Sequence, residues 1–220
     1  TTGEVIALSQ EGVRYRSDGQ VDGTNGIYDK ESGWTSKLVI DEEFIQGNPI
    51  LPLGFAKADF IKLSTREWKE VLSKGSKILE VHIPAESKLS HEACGESFKM
   101  SVDFFTGYFP ELPFDGYMCT SWLLDPQLKE ILPPSSNIVK FQREFYLYPI
   151  LTDDFQTFER VFGGKHDNIE FLKAETSLQK AIIDYISKGN HMRQGGMFLL
   201  KDDLKHWGKA FYQDYSRSII

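Results

Sequence analysis

Hydrophobic and polar residues alternate most regularly in the middle of the chain. The run 77–83 places three aliphatic side chains on one side of an extended backbone and Glu80 and His82 on the other, which predicts a strand that ends at Pro84. Ser90 then stands as a helix N-cap before apolar residues at helical spacing. These residues are Cys94, Phe98, Val102 and Phe105.

A second strand is predicted over 117–124, and Asp125 followed by Pro126 opens a short helix that runs to 132. Residues 138–148 alternate again and predict a third strand. One face of it carries a polar-aromatic row of Gln142, Glu144, Tyr146 and Tyr148. The middle of the chain is therefore predicted to be strand–helix–strand–helix–strand.

The region before this block carries short alternating runs over 4–40, which predict β hairpins, and a proline-marked stretch over 46–52, which predicts a loop. A strand over 59–63 is expected to lead into a helix of about ten residues, because Ser64 and Glu67 form a capping box. We expect residues 1–76 to be a β-rich part of the same unit as a domain over 77–220.

Helices predominate after residue 150. One is predicted over 155–162, a second begins at the capping box of Thr176 and Gln179, and a last one follows a short strand over 197–200. Strands and helices together predict the α+β class.

Composition narrows the classes of function. A net charge of −7 argues against a nucleic-acid surface, because phosphate binding requires a concentrated basic face. No run approaches the ~20 apolar residues of a membrane helix. The two cysteines, Cys94 and Cys119, lie in apolar runs that suit reduced thiols, and we expect a cytoplasmic protein.

The chain opens with Thr-Thr-Gly, without an initiator methionine or a signal pattern, so we expect a piece of a longer protein or a processed form. Three segments bear on this expectation: LEVHIPA (79–85), CTSWLLDPQLKEILPPSSNIVKFQREFYLYP (119–149) and TSLQKAIIDYISKGN (176–190). They resemble the C-terminal domain of a bacterial family of acyltransferase-domain proteins, and that domain is GNAT-like. The resemblance spans roughly residues 1–205, and its most specific part is the SWLLDPQL…LPPSSNI…FQ block.

The resemblance implies a mixed, mostly antiparallel sheet flanked by helices, with an N-terminal β-hairpin extension. It implies acetyl-CoA or another acyl-CoA as cosubstrate, a small-molecule amine as acceptor, and a preceding acyltransferase-like domain of the same protein as partner. In such folds the pyrophosphate lies on a glycine-containing turn that opens the helix after the first strand of this block. Here the turn 84–90 has no glycine and carries Glu86, and Lys88, Ser90 and His91 are the residues expected to bind the cofactor, with Ser121 on the next strand.

Acyl transfer to an amine needs a base near these strands, and Glu80 and His82 are the candidate catalytic residues. In the alternative interpretation Glu80 pairs with a cross-strand cation and His82 is a satisfied histidine of the sheet. Asp125, Gln142 and Tyr146 are candidates for substrate binding, although the same row also suits the half-solvated face of an edge strand.

Cysteine chemistry gives a weaker signal. Cys119 with a neighbouring histidine could act as nucleophile and base, but a buried structural cysteine is the commoner case. His91 and Cys94 lie one helical turn apart without a second pair of ligands, so no metal site is expected. Two functions remain open: an acyl-CoA-dependent N-acyltransferase, or its C-terminal half, and a non-catalytic GNAT-like module that binds a ligand or a partner.

Overall fold

The computed structural model describes residues 3–84, 89–164 and 172–215. The part before residue 77 consists of short strands in small antiparallel sheets, with the orders β1–β6–β7, β2–β3 and β4–β5–β8. In chain order these strands are β1 (Ala7–Leu8), β2 (Arg14–Tyr15), β3 (Trp34–Thr35), β4 (Leu38–Ile40), β5 (Phe44–Gly47), β6 (Pro49–Leu51), β7 (Phe55–Ala56) and β8 (Ile61–Ser64).

A four-stranded sheet forms the centre of the molecule, in the order β11–β12–β10–β9. Its strands are β9 (Ile78–Glu80), β10 (Gly116–Ser121), β11 (Tyr146–Tyr148) and β12 (Gly195–Leu200). β9 and β10 run parallel, whereas β12 pairs antiparallel with both β10 and β11. The late strand β12 is therefore inserted between two earlier ones.

Helices connect and cover this sheet. In chain order they are α1 (His91–Tyr108), α2 (Leu128–Ile131), α3 (Asn137–Gln142), α4 (Phe155–Phe162), α5 (Ser177–Ile186) and α6 (Phe211–Tyr215). Among the described residues, no helix is long and apolar enough to cross a membrane.

α1 covers one face of the central sheet. It begins where expected, because the Ser90 hydroxyl accepts a hydrogen bond from the Ala93 amide at 3.1 Å. Its buried Phe98 lies edge-on against Tyr117 of β10, with ring centroids 4.8 Å apart, and it also contacts Trp207. Aromatic burial of this kind stabilises the helix on the sheet by roughly 2–3 kcal/mol per ring.

A second apolar cluster joins α2, α4 and α5 beyond the end of β10. Leu128, Phe158 and Ile182 are buried in it together with Ile186 and Met192. The predicted capping box is present, because the Thr176 hydroxyl accepts from the Gln179 amide while the Gln179 side chain accepts from the Thr176 amide. Local capping and burial of one helix face thus agree in α5.

The N-terminal strands pack directly on β11. The Tyr146 hydroxyl donates to the Ile50 carbonyl and accepts from the Ala7 amide at 3.1 Å, and the Leu147 amide donates to the Pro52 carbonyl at 3.0 Å. Ile50 and Tyr146 belong to the same buried cluster, so one apolar core runs through both parts of the chain.

Three expectations about elements were wrong. Residues 46–52 contain the end of β5 and all of β6 rather than a loop, and Pro49 fits because it is the first residue of its strand. The helix after Ser64 is absent: the Ser64 carbonyl accepts from the Glu67 and Trp68 amides in a turn that goes no further. No neighbouring element buries Val71, which is 48% exposed, and a short helix without packing is marginal in water.

The third correction concerns the predicted strand 138–148. Residues 137–142 form α3, and the strand is shortened to β11. Phe141 and Phe145 lie four residues apart with ring centroids at 4.6 Å, and both are buried, so tertiary packing overrides the β propensity of Ile138 and Val139. Gln142 consequently lies on a helix and not on the edge strand.

Candidate active site

The two edges of β10 are paired to different extents. Against β12 the pairing continues through all six residues, from Gly116 opposite Leu200 to Ser121 opposite Gly195. Against β9 it ends after Glu80 opposite Met118, and the Val81 amide donates to the Met118 carbonyl at 2.8 Å. In the described part of the chain, no further backbone hydrogen bond joins residues 81–83 to 119–121.

The free edge that results belongs to Thr120. The amide and carbonyl of one residue point to the same side of a strand, and the side alternates along the chain. Since Met118 presents its carbonyl to β9, Thr120 directs its own amide and carbonyl into the gap that β9 has left. We call this gap the splay; it offers one backbone donor and one backbone acceptor to an extended ligand.

One face of the sheet brings several polar groups to the splay. Glu80 is opposite Met118, two residues before Thr120, and Thr120 is opposite Gly196, which is in turn opposite Tyr148. Side chains of directly opposed residues share a face, so Glu80, Thr120 and Tyr148 lie on the same side. His82, exposed just after β9, continues the alternation on that side.

Tyr148 lies across a glycine. A side chain at Gly196 would collide with the Tyr148 ring, so the ring covers the β12 backbone on its way towards β10. Burial, with a smaller contribution from the nearby Cys119, raises the pKa of Tyr148 to about 12. Among the described residues, no hydrogen bond uses the Tyr148 hydroxyl, whereas that of Tyr146 makes two. Tyr148 therefore holds its proton at neutral pH and is available to a ligand.

Cys119 does not have the properties of a nucleophile. It is 7% exposed, and burial together with the charge of Glu80 raises the pKa of its thiol to about 11. A thiol in this state stays protonated at neutral pH, so the cysteine–histidine couple lacks its reactive thiolate. Burial raises the pKa of Cys94 as well.

The predicted cofactor-binding residues around α1 are partly engaged already. The Ser90 hydroxyl accepts from the Ala93 amide, and the His91 ring nitrogen Nε2 is 2.9 Å from Oε1 of the buried Glu144. The other oxygen of Glu144 accepts from the Gly208 amide at 2.7 Å. Lys88 lies outside the described residues. Ser121 ends β10, and its hydroxyl accepts from the Leu123 amide at 3.2 Å.

The predicted substrate-binding residues lie in a buried network. The Asp125 carboxylate accepts from the Gln127 and Arg193 amides, each at 3.0 Å, and Arg193 Nε is 3.4 Å away. Burial raises the pKa of Asp125, and the Arg193 guanidinium opposes that shift. Gln142 donates through Nε2 to the Leu123 carbonyl at 2.7 Å and to the Asp125 carbonyl at 2.9 Å. With Tyr146 bonded to the N-terminal strands, these three residues form internal contacts, and their role in substrate binding stays a prediction.

The structure thus brings Glu80 and His82 together at the splay but places Asp125 and Gln142 beyond the end of β10. Sequence reasoning gave Thr120 no role in the site, and it placed Tyr148 only in the polar-aromatic row that could line a ligand cleft or lie on the half-solvated face of an edge strand. The alternation along 138–148 contained the signal for Tyr148, but its partner Gly196 is distant in sequence. In the described ranges, no group of three or more His, Cys, Asp or Glu residues is arranged to hold a metal ion.

Comparison with solved structures finds acyltransferases. An acyltransferase in complex with decanoyl-CoA is 30% identical over 59% of this chain and 41% of its own, with a TM-score of 0.53. An acyltransferase in complex with decanoyl-CoA and teicoplanin is 28% identical over 60% of this chain and 43% of its own, with a TM-score of 0.54. The chain therefore spans about two fifths of the length of these structures.

A search of the curated proteins finds no match. The family profile described as "GNAT-like C-terminal domain" matches residues 28–199, which is most of the chain. The mixed sheet flanked by helices and the resemblance stated from the sequence are both confirmed. This chain belongs to the family of GNAT-like C-terminal domains.

Proposed function

We propose that this chain carries the acyl-CoA-binding part of an N-acyltransferase, which moves an acyl group from CoA to the nitrogen of a small amine. The observation that carries the proposal is the splay between β9 and β10. At its edge, the amide and carbonyl of Thr120 have no backbone partner among residues 3–84, 89–164 and 172–215. Similar acyltransferases bind decanoyl-CoA and CoA, which supports an acyl-CoA as the ligand. An extended ligand with amide groups would complete the interrupted parallel pairing.

The residues on the splay face suit the proton transfers of this reaction. The amine nitrogen must lose a proton as it attacks the thioester carbonyl, and we propose that Glu80 or His82 accepts it. The C–S bond then breaks, and the CoA sulfur leaves as a thiolate. We propose that Tyr148 donates its proton to that sulfur and later regains one from solvent. Its pKa of about 12 keeps the hydroxyl protonated at neutral pH until the sulfur leaves.

We also propose that a preceding acyltransferase-like domain of the same protein contributes to the enzyme. The similar acyltransferases are more than twice as long as the part that this chain matches, which supports that expectation. Because acyl-CoA donors are made and used inside cells, the proposed activity goes with a cytoplasmic location.

A calorimetric titration tests the proposal directly. Acetyl-CoA, octanoyl-CoA, decanoyl-CoA and free CoA are titrated into this chain and into the full-length protein, and release of the CoA thiol is followed in the presence of primary amines. We expect binding of at least one acyl-CoA and amine-dependent thiol release by the full-length protein. Absence of binding in both proteins would overturn the enzyme in favour of a non-catalytic module. That alternative agrees with the lack of glycine in the turn 84–90.

A further inference from the structure

A groove of about 550 Å³ opens at the end of the central sheet. The loop 23–28 forms one wall, the segment 150–153 forms the other, and Gln194 lies beside them. Hydrogen bonds hold the loop 23–28 in place: the Asn25 backbone amide donates to the Thr152 carbonyl at 2.9 Å, and the Asn25 side chain donates through Nδ2 to the Met192 carbonyl at 2.9 Å. The first of these bonds connects the two walls of this open groove directly.

Two apolar side chains stand exposed on the walls. Tyr28 is 65% exposed and Leu151 is 66% exposed. Both approach Gly23, whose φ of +93° is in the left-handed region, and a side chain there would press on the Tyr28 ring at 3.2 Å. Glycine at this position lets the two walls come close, so a flat apolar group can contact Tyr28 and Leu151 at once.

The charge of the groove is negative. Asp153 contributes a carboxylate, and none of the described lining residues is a lysine, arginine or histidine. One carboxylate oxygen of Asp153 accepts from the Phe155 amide at 3.0 Å. A carboxylate beside an exposed tyrosine ring is complementary to an ammonium group, which can pair with the first and lie over the second. The net charge of the whole chain, −7, also attracts cationic ligands.

The groove lies close to the splay. Thr120, Gly196 and Tyr148 form one row across β10, β12 and β11, while Ile150 and Gln194 are each two residues beyond that row. Strand spacing puts the groove about 7 Å along the sheet and about 10 Å across it from Thr120. The Tyr148 ring lies between the two places, over Gly196.

From these observations we infer that the groove binds the acyl acceptor, and that the acceptor is a primary amine attached to an aromatic or flat apolar body. This inference rests on the proposed acyltransferase function and adds the chemical class of the acceptor. Tyr28 and Leu151 hold the apolar body, and Asp153 pairs with the ammonium group in this first binding position. The amine then moves past the Tyr148 ring to the splay, where it loses its proton and reacts.

The test uses 2-(2-naphthyl)ethylamine and, as its neutral counterpart, 2-(2-naphthyl)ethanol, with binding followed by NMR chemical-shift titration. We expect the amine to bind about tenfold more tightly than the alcohol, because only the ammonium group can form a charge-assisted hydrogen bond with the Asp153 carboxylate. Asp153→Asn keeps an acceptor for the Phe155 amide and should weaken amine binding about tenfold. Tyr28→Ala should weaken both probes.

Asp103→Asn and Tyr108→Ala on the exposed surface of α1 are matched controls and should change neither affinity. Equal affinity for the amine and the alcohol, or amine binding that is unchanged in both groove variants, would overturn the inference. Calorimetry with decanoyl-CoA on the same variants separates the two proposals. The groove variants should keep wild-type affinity for the donor, and absence of donor binding by the wild type contradicts the proposed function instead.

Discussion

The two edges of β10 show how one strand serves structure on one side and a ligand on the other. The edge towards β12 is paired along its whole length, and the edge towards β9 is paired for only half of it. Both neighbours are part of the same sheet, yet within the described residues only β12 is in register with β10 from Gly116 to Ser121. The candidate site is therefore an interruption in the pairing of β9 with β10, and substitutions on the two edges of β10 should have separable effects.

The largest effect is expected on the closed edge. A side chain at Gly195 would collide with the backbone carbonyl of Leu124, which has no freedom to rotate away. Gly195→Val should therefore lower the free energy of unfolding by about 3 kcal/mol, measured by urea denaturation. Gly107→Val is the comparison, because open space surrounds Gly107 in α1. Equal stability of the two variants would contradict the close approach at Gly195.

The second effect concerns Tyr148, the proposed proton donor, whose ring covers that edge at Gly196. Tyr148→Phe keeps the ring over Gly196 and removes only the hydroxyl, so acyl-CoA affinity should stay unchanged while kcat falls about 100-fold. Thiol release by the full-length protein measures it. Because the pKa of Tyr148 is about 12, Tyr148 does not titrate between pH 6 and 9. Any change of the wild-type kcat with pH in that range should therefore come from other groups. Unchanged kcat in Tyr148→Phe would remove Tyr148 from the mechanism.

The third effect tests a single backbone group of the open edge, the amide of Thr120. Thr120→Pro removes the N–H that points into the splay without removing a hydrogen bond to β12, and proline is tolerated where the N–H side of a strand is free. Acyl-CoA affinity should fall about tenfold. Thr120→Ala removes the side chain but retains the amide, so it should bind as the wild type does. Identical affinities of the two variants in calorimetry would show that no ligand uses this amide.

The smallest effect is a change in the pKa of Cys119 on β10 when the charge of Glu80 on β9 is removed. The negative charge of Glu80 helps to raise the pKa of Cys119 to about 11, so Glu80→Gln should lower that pKa. The pH dependence of alkylation by iodoacetamide measures it, with Cys94→Ala as background to leave one thiol. A folded pKa above the unfolded value means that stability from the Cys119 thiol is present below pH ~9 and is lost as pH rises through ~11. An alkylation midpoint that does not move would place Glu80 too far from Cys119.

Local signals predicted the parts of the fold that local contacts determine. Ser90 and the pair Thr176 and Gln179 marked the starts of α1 and α5, because their side chains cap backbone groups within three residues. The same signal at Ser64 failed because no second element covers Val71. α3 was missed because Ile138 and Val139 favour strands, while the packing of Phe141 against Phe145 depends on the folded core.

The site could be predicted only in part for the same reason. The alternation in 77–83 placed Glu80 and His82 on one face, which the register with β10 bears out for Glu80. The splay itself is the absence of pairing between residues that the register of β9 with β10 would set 38 positions apart (118 − 80), and no local pattern encodes it. Tyr148 depends likewise on Gly196, which a sequence pattern does not connect to it.

The Tyr146 hydroxyl has a practical consequence for how this protein can be divided. This hydroxyl bonds to Ala7, which is 139 residues earlier in the chain, and to Ile50, which is 96 residues earlier. An expression fragment that starts at residue 77 would leave this buried hydroxyl without both partners, at a cost of about 1–3 kcal/mol, and would expose the apolar surface that Ile50 covers. During synthesis the first fifty residues must likewise wait for β11 to emerge before their hydrogen bonds are complete, so folding is expected to be slow and to finish late.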